Sequence, residues 1–303
     1  MKFFMLVGLP GSGKSTFGNT LASIENAKLF SSDELRNELL GSEDDQSANS
    51  AVFSELHKRI LKALEDGESV IYDATNISSK NRKSFLQQLN KYDIEKRAVI
   101  FATPYEECLR RNAGRARVVP ECTIKKMYMN FQVPCLQEGF TDIQIVYPDN
   151  FSFISYKQLI EEYKAIPHNN PHHETSIGNH MQNALDYLIK TYDSICDIKE
   201  ELLYSTYLHD IGKPFTKTFT NSHGEVTPIA HYYNHNNVGA YDVLLTDIPE
   251  NVKLTVSLLI QYHMQYYTSW KQSEKAQQRD RAFLGLKFIS LLDILHECDL
   301  AAH

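Results

Sequence analysis

Eight residues near the start of the chain, Gly8-Leu9-Pro10-Gly11-Ser12-Gly13-Lys14-Ser15, fit the pattern GxxxxGK[ST] in full, and Thr16 extends the run. Glycines at these positions let backbone N–H groups curl around phosphate oxygens, where a Cβ would obstruct the approach. Lys14 would reach the β- and γ-phosphates of ATP and Ser15 would ligate Mg²⁺, with Gly8, Gly11, Ser12, Gly13 and Thr16 completing the cradle. A phosphate loop alone says only nucleotide. What is done with the nucleotide depends on Asp33 and Arg36 in FSSDELR, on Asp73, Thr75 and Asn76 in VIYDATN, and on Arg110, Arg111, Arg115 and Arg117 in LRRNAGRARVVP. Asp33 is placed to accept a proton from an attacking hydroxyl, as a general base must. It is equally placed to sit in the first turn of a helix capped by Ser31 or Ser32. Asp73 ends an apolar run, and open α/β sheets bind ligands at the carboxyl ends of their strands. Arg111 and Arg115 would share a helical face if the helix continues, and could neutralise a transferring phosphoryl group. A solvated basic face is the alternative.

A second set of reactive residues lies far downstream. Of the twelve histidines, all but His57 fall in the last 140 residues or so. The informative pair is His209-Asp210 in LHDIGKP, because imidazole suits transition metals and a carboxylate can bridge two of them. Further candidates are His180, His231 and His235 in AHYYNHNN, His263 in QYHMQYY, and Asp293 or Asp299 in LLDILHECDLAAH. Such a cluster can activate water and clamp a phosphate. His168, His172, His173 and His223 read as structural or surface histidines.

Residues 1 to about 150 resemble the phage polynucleotide 5′-hydroxyl kinases. The shared features are GLPGSGKST, the D-x-x-R of Asp33 and Arg36, the D-x-T-N of Asp73 to Asn76, and an Arg-Asn…Arg…Val-Pro lid followed by Met127 and Tyr128. The resemblance implies that Asp33 is the general base, that Arg36 contacts the region of the scissile phosphate, and that Arg111 and Arg115 engage the ATP phosphates. Residues from about 165 onward resemble the HD phosphohydrolase superfamily, and HDIGKP is most similar to the HD module attached to bacterial CCA-adding enzymes. That resemblance implies His180, His209, Asp210 and Asp299 as core metal ligands, with His235 and His263 completing a second site. It also implies one or two divalent transition metals (Mn²⁺, Ni²⁺, Co²⁺, Fe²⁺ or Zn²⁺) and a substrate-phosphate contact from Lys213.

The elements that must position these residues read differently in the two halves. Short apolar runs at Phe3–Val7, Ser69–Tyr72, Ala98–Phe101 and Ile143–Tyr147 alternate with helix-like stretches at Lys14–Ala22, Ser50–Leu64 and Lys80–Leu89. This pattern predicts an α/β P-loop kinase domain, a parallel sheet with flanking helices, over residues 1–155. From about Thr175 the apolar spacing is helical, through Met181, Leu185 and Leu188, then Leu202 and Leu208, then Val252, Val256 and Leu259. An all-α HD domain is expected over residues 165–303, with IPHNNPHHETSIGNH as the junction.

The formal net charge of −7 is uneven. Residues 1–160 carry 20 basic and 20 acidic groups, so the remaining 11 and 18 hold all the excess acid. A protein that coats duplex DNA by charge alone would be basic, whereas gripping one strand end needs only a local patch. Five cysteines with no CxxC spacing read as reduced thiols of a cytoplasmic protein. The apolar start MKFFMLV runs straight into the glycine-rich loop and is too short for a signal peptide, and no run is long enough to span a membrane. A kinase and a phosphoesterase in one chain make sense on the two ends of a broken strand. One phosphorylates a 5′-hydroxyl; the other removes a 2′,3′-cyclic or terminal phosphate. The expected partners are RNA or DNA ends, with a separate ligase to seal them. This resembles bacterial RNA-repair enzymes that join an HD domain to a polynucleotide kinase. The alternatives are a small-molecule or nucleoside kinase fused to an HD nucleotidase, and a nucleotide-gated binding module.

Overall fold

The computed structural model of the chain describes residues 1–43, 45, 47–171, 175–192 and 199–302; His172, His173 and Cys196 lie outside them. The chain divides into two compact units. The first is Met1–Tyr128 with Pro134–Phe151, and the second is Met129–Val133 with Ser152–His303.

In the first unit, strands β1 (Lys2–Val7), β2 (Ala27–Ser31), β3 (Ser69–Asp73), β4 (Glu95–Phe101) and β5 (Asp142–Val146) form one parallel sheet in the order β2-β3-β1-β4-β5. Helices α1 (Lys14–Glu25), α2 (Ser32–Leu40), α3 (Asn49–Glu65), α4 (Ser79–Gln88), α5 (Tyr105–Ala113) and α6 (Glu121–Met129) connect the strands. The central strands are continuous apolar runs because helices cover both faces of such a sheet; Phe3, Met5, Leu6, Val70, Ile71 and Ile100 are all buried. The register matters for chemistry. Leu6 and Ser31 both pair with Asp73, so the carboxyl ends of β1, β2 and β3 lie side by side. The helices that follow β1 and β2 carry Lys14 and Asp33 in their first turns.

A buried ion pair braces the turn after β3. Arg82 binds Glu138 through Nε (2.6 Å) and Nη2 (2.7 Å), both side chains are 1% exposed, and Arg82 Nη1 donates to Asn76 O at 2.8 Å. Removing one member strands the other charge. Glu138→Ala is therefore expected to cost about 3–5 kcal/mol of stability, read as a lower urea midpoint. A paired Arg82→Met, Glu138→Leu variant should recover most of that loss; if it does not, the cost lies in packing rather than charge.

The second unit contains α7 (Tyr156–Tyr163), α8 (Ile177–Tyr192), α9 (Glu200–Leu208), α10 (Lys213–Thr216), strands β6 (Lys217–Thr220) and β7 (Val226–Tyr232), α11 (His235–Asp242), α12 (Glu250–Tyr262), α13 (Ser269–Gln272), α14 (Glu274–Leu284) and α15 (Leu286–Ala301). Its helical core gathers Ala184, Leu188, Leu202, Leu259, Leu292 and Leu295. The expectation of an all-α domain is corrected by the antiparallel β6–β7 hairpin. Asn221 builds its turn, since Oδ1 accepts from the N–H groups of His223 and Glu225, a local Asx geometry. The compact unit takes in residues before 165: Ile154 exchanges backbone hydrogen bonds with Leu245 and Asp247, and α7 packs on α8. Among the described residues no helix is long and apolar enough to cross a membrane.

Candidate functional site

A cavity of about 1010 Å³ opens at the carboxyl edge of the parallel sheet. On one side lies the phosphate loop. Gly11 has φ +81°, and a Cβ there would stand 2.3 Å from the Cys108 carbonyl oxygen, so no other residue fits this turn. Lys14 Nζ donates to the carbonyls of Gly8 (2.9 Å) and Leu9 (2.7 Å). Burial pushes its ammonium below the usual lysine range, and Asp73 pulls the other way. Burial raises the Asp73 carboxyl, opposed by Lys14 and by Ser15, whose Oγ donates to Oδ2 at 2.7 Å. A hydroxyl and a carboxylate so joined beside a buried lysine are a donor set for Mg²⁺. Thr16 and Thr75 also line the cavity.

Across the cavity is Asp33. Ser31 Oγ accepts from Glu34 N, so the serine does cap α2, and Asp33 in the first turn still faces the cavity. Capping of α2 and a cavity-facing Asp33 thus occur together. Arg36 binds Asp33 Oδ1 at 2.7 Å and Asn49 Oδ1 at 3.1 Å, while its buried Nε has no hydrogen-bond partner. Arg117 reaches the same Asp33 oxygen at 2.9 Å. Arg111 and Arg115 line the cavity, but they do not share a helical face: α5 ends at Ala113, and Gly114 and Arg115 lie past it. Arg111 is steadied by Glu107 at 2.5 Å. Asn76 belongs to the scaffold, because its amide donates to Leu6 O (2.9 Å) and its φ of 48° turns the chain.

The second unit brings six of the sequence-selected residues into one buried cluster: His180, His209 and Asp299 form one triad, and Asp210, His235 and His263 another. His180 comes from α8, His209 and His263 directly follow α9 and α12, His235 opens α11, and Asp299 lies on α15. Asp210 spans both triads. Its Oδ2 lies 3.3 Å from His209 Nε2 and 3.5 Å from His180 Nε2, and its Oδ1 lies 3.3 Å from His235 Nε2 and 3.8 Å from His263 Nε2. Gly212 permits this approach, since a Cβ there would meet His235 O at 2.2 Å.

The imidazoles are oriented by the backbone. His209 Nδ1 is 2.8 Å from Thr206 O, His235 Nδ1 2.8 Å from Tyr232 O, His263 Nδ1 2.6 Å from Ile260 O, and His180 Nδ1 3.3 Å from Ala302 O. A carbonyl only accepts, so each Nδ1 is the N–H donor and each Nε2 presents its lone pair to the cluster. Yet His180 Nε2 stands 3.2 Å from His209 Nε2, and His235 Nε2 stands 3.2 Å from His263 Nε2. Lone pairs facing at that distance require a shared positive charge, either a proton or a metal cation. Burial opposes charge on His209, but Asp210 and Asp299 outweigh it and raise the imidazole to about 10. Burial, with His235 and His209, drives His263 down to about 3. Burial likewise works against ionised Asp210, but Lys213 and His209 hold its carboxyl well below the ordinary range. Rich in nitrogen, buried, and with the Asp210 carboxylate near residues of both triads, the donor set has the chemistry that divalent transition metals take.

The comparisons bear chiefly on the first unit. The AAA domain family model matches residues 3–134. Over 120 residues the chain is 37% identical to the shikimate kinase of Corynebacterium glutamicum, covering 38% of this chain and 67% of that one. The chain belongs to the P-loop kinases. It is also 26% identical over 174 residues to the L-seryl-tRNA(Sec) kinase of Methanococcus maripaludis, covering 54% of this chain and 66% of that one. To the bifunctional polynucleotide phosphatase/kinase of Schizosaccharomyces pombe it is 25% identical over 147 residues, covering 47% of this chain and 32% of that one. The chain thus spans just under two thirds and about a third of the lengths of these last two relatives. A P-loop kinase uses ATP and Mg²⁺.

Three neighbours of this P-loop kinase's two sites escape sequence reasoning. Arg117 was visible only as part of a basic run; its bond to Asp33, 84 residues away, is a tertiary fact. His168, read as structural, is buried, with Nδ1 2.8 Å from Thr175 O and Nε2 3.4 Å from Lys213 Nζ. Tyr267 donates to Asp299 Oδ2 at 2.9 Å; it follows His263 by one helical turn, a spacing that could have flagged it. Lys213 lies 2.6 Å from Asp210 Oδ2. The alternatives to the cluster residues lie outside it: His231 Nε2 is 3.0 Å from Thr227 Oγ1, and Asp293 pairs with Tyr266 and Arg281. His223 lies in the hairpin turn.

Proposed function

We propose that this chain heals broken nucleic-acid ends, RNA above all. The P-loop kinase unit phosphorylates a 5′-hydroxyl, and the HD-type second unit hydrolyses a 2′,3′-cyclic or terminal phosphate. The observation that carries the reading is one chain holding both a kinase cavity with Asp33 opposite Lys14 and a buried cluster in which Asp210 spans two triads. The 25% identity to the polynucleotide phosphatase/kinase supports it. A ligase is the partner to which such an enzyme would pass its ends.

In the kinase unit, Asp33 accepts the proton of the attacking hydroxyl as its oxygen bonds to the γ-phosphorus and ADP departs. Arg36 and Arg117 hold the Asp33 carboxylate, while Lys14, Arg111 and Arg115 offset charge on the phosphoryl oxygens. Ser15 and Asp73 are the residues that would hold Mg²⁺.

In the second unit, His180, His209 and Asp299 would hold one divalent cation and Asp210, His235 and His263 another; bound there, such cations lower the pKa of water and draw charge from a phosphate. Lys213 supplies a fixed positive charge beside Asp210 for the substrate phosphate. Tyr267 holds Asp299 by its second oxygen, leaving Oδ1 toward His180 at 3.0 Å. Tyr267→Phe is expected to weaken Mn²⁺ binding by about 10–100-fold with little change in thermal midpoint of the metal-free protein. An unchanged calorimetric affinity would remove Tyr267 from the site.

The test of the whole reading is a short RNA with a 5′-hydroxyl and a 2′,3′-cyclic phosphate, incubated with ATP, Mg²⁺ and either Mn²⁺ or Ni²⁺. Conversion of both ends supports it. ATP hydrolysis with both ends untouched rejects it. The 37% identity to shikimate kinase favours a second reading, a small-molecule kinase fused to an HD nucleotidase. Under that reading a free nucleoside or other small alcohol outcompetes the oligonucleotide as acceptor.

A further inference from the structure

A second cavity of about 760 Å³ runs along α3 and has no part in the chemistry above. Its walls include Ser50, Ser54, His57, Lys58 and Lys62. One residue, Phe53, lines both this groove and the kinase cavity. Phe53 stands one turn after Asn49, the residue that shares Arg36 with Asp33. The groove therefore leaves the kinase cavity on its acceptor side.

The chemistry along it is aromatic first and cationic beyond. The Phe53 ring sits edge-on to His57, which packs on Phe85 at 4.2 Å and bonds Tyr72 Oη at 3.1 Å, so the ring has a rigid backing. Lys58 and Lys62 follow at one-turn spacing, with side chains 80% and 68% exposed. Acids lie close by: Glu65, a wall of the groove, is held by Lys91, Glu55 shares Arg59 with Glu38, and Asp66 pairs with Lys62 itself at 2.7 Å, an exposed pair that a phosphodiester would have to displace. Lys58 meets Glu55 only at 3.7 Å. An aromatic face followed by cations is how a groove tracks a single strand, base on ring and phosphates on lysines.

We infer that the α3 groove carries the acceptor strand beyond its 5′-terminal nucleotide, with Phe53 stacking a base and Lys58 and Lys62 meeting the next phosphodiesters. This rests on the polynucleotide reading of the kinase cavity. A small-molecule acceptor has no use for an exit from its pocket; a strand whose first ribose lies at Asp33 must have one.

The experiment measures KM and kcat for a nucleoside 3′-phosphate and for 5′-hydroxyl oligonucleotides of increasing length up to a hexamer. Wild type is compared with Phe53→Ala and with Lys58→Glu/Lys62→Glu. In wild type KM falls with length, by about tenfold for each base stacked. The double charge reversal brings the KM values of monomer and hexamer toward each other and lowers the salt slope of hexamer binding by about 0.7 for each phosphate the lysines no longer neutralise. Because both lysines are exposed, this variant keeps the result interpretable if Phe53→Ala does not fold. Equal KM for monomer and hexamer in wild type, or an unchanged salt slope in the double variant, overturns the groove assignment while leaving the kinase assignment standing. Phosphorylation of small alcohols alone overturns both.

Discussion

Asp33→Asn should phosphorylate a 5′-hydroxyl oligonucleotide at a kcat lower by about 10²–10⁴-fold, with ATP affinity close to wild type. The substitution keeps the shape of the side chain and removes its capacity to take a proton. It also removes the charge that Arg36 and Arg117 share at 2.7 and 2.9 Å. The proposed ATP contacts would come from the opposite wall, from Lys14 and the loop before it, so nucleotide binding should persist in a fluorescence titration. Hydrolysis at the 3′ end should continue in the same tube, since the second unit has its own ligand set. Retention of a tenth or more of wild-type kcat would show that the acceptor proton leaves by another route.

Asp210→Asn should abolish hydrolysis of the cyclic or terminal phosphate, a loss of at least about 10²-fold, and release bound metal, while 5′ phosphorylation continues. The carboxylate reaches residues of both triads, and Lys213 lies 2.6 Å from it. An amide supplies no charge to either. The same change strands the buried Lys213 ammonium, so a stability loss of about 3–5 kcal/mol is expected alongside. The two effects separate by comparison with Lys213→Met/Asp210→Asn, which removes the stranded cation. That variant should regain stability without regaining metal. If wild type binds no Mn²⁺ or Ni²⁺ by calorimetry, the cluster is a structural network of protonated histidines and the hydrolase assignment falls; if binding survives Asp210→Asn, Asp210 is not an essential ligand.

What could be read before folding was whatever depends on neighbours in the chain. The phosphate loop needs one strand, one turn and one helix in succession, and all three are written within Lys2–Glu25. Choices that depend on helical phase were open at the level of residue type. Asp293 and Asp299 are six positions apart on α15, which at about 100° per residue puts them on different faces. Asp299 faces the cluster, and Asp293 faces Arg281 and Tyr266. His231 and His235 differ in the same way, one on a strand and one opening a helix. The hairpin was missed because β6 is only four residues, two of them threonine, and Pro228 interrupts β7, so neither strand leaves an unbroken apolar run. A shared face for Arg111 and Arg115 depended on the helix continuing, and it ends at Ala113. The Arg117–Asp33 contact needs the whole sheet to bring the lid beside α2, and no local pattern announces it.

The hydrogen bonds that orient the histidines have a bearing on how such a centre changes over time. His209, His235 and His263 each place Nδ1 on the carbonyl three residues earlier, at Thr206, Tyr232 and Ile260. Each ligand therefore brings its own tautomer with it, as a four-residue cassette. A substitution that slides one helix against another alters the spacing between ligands and leaves the identity of every donor atom intact. In the proposed metal centre, drift in the surrounding core would retune metal preference by small steps, without passing through a form in which a ring nitrogen faces the wrong way.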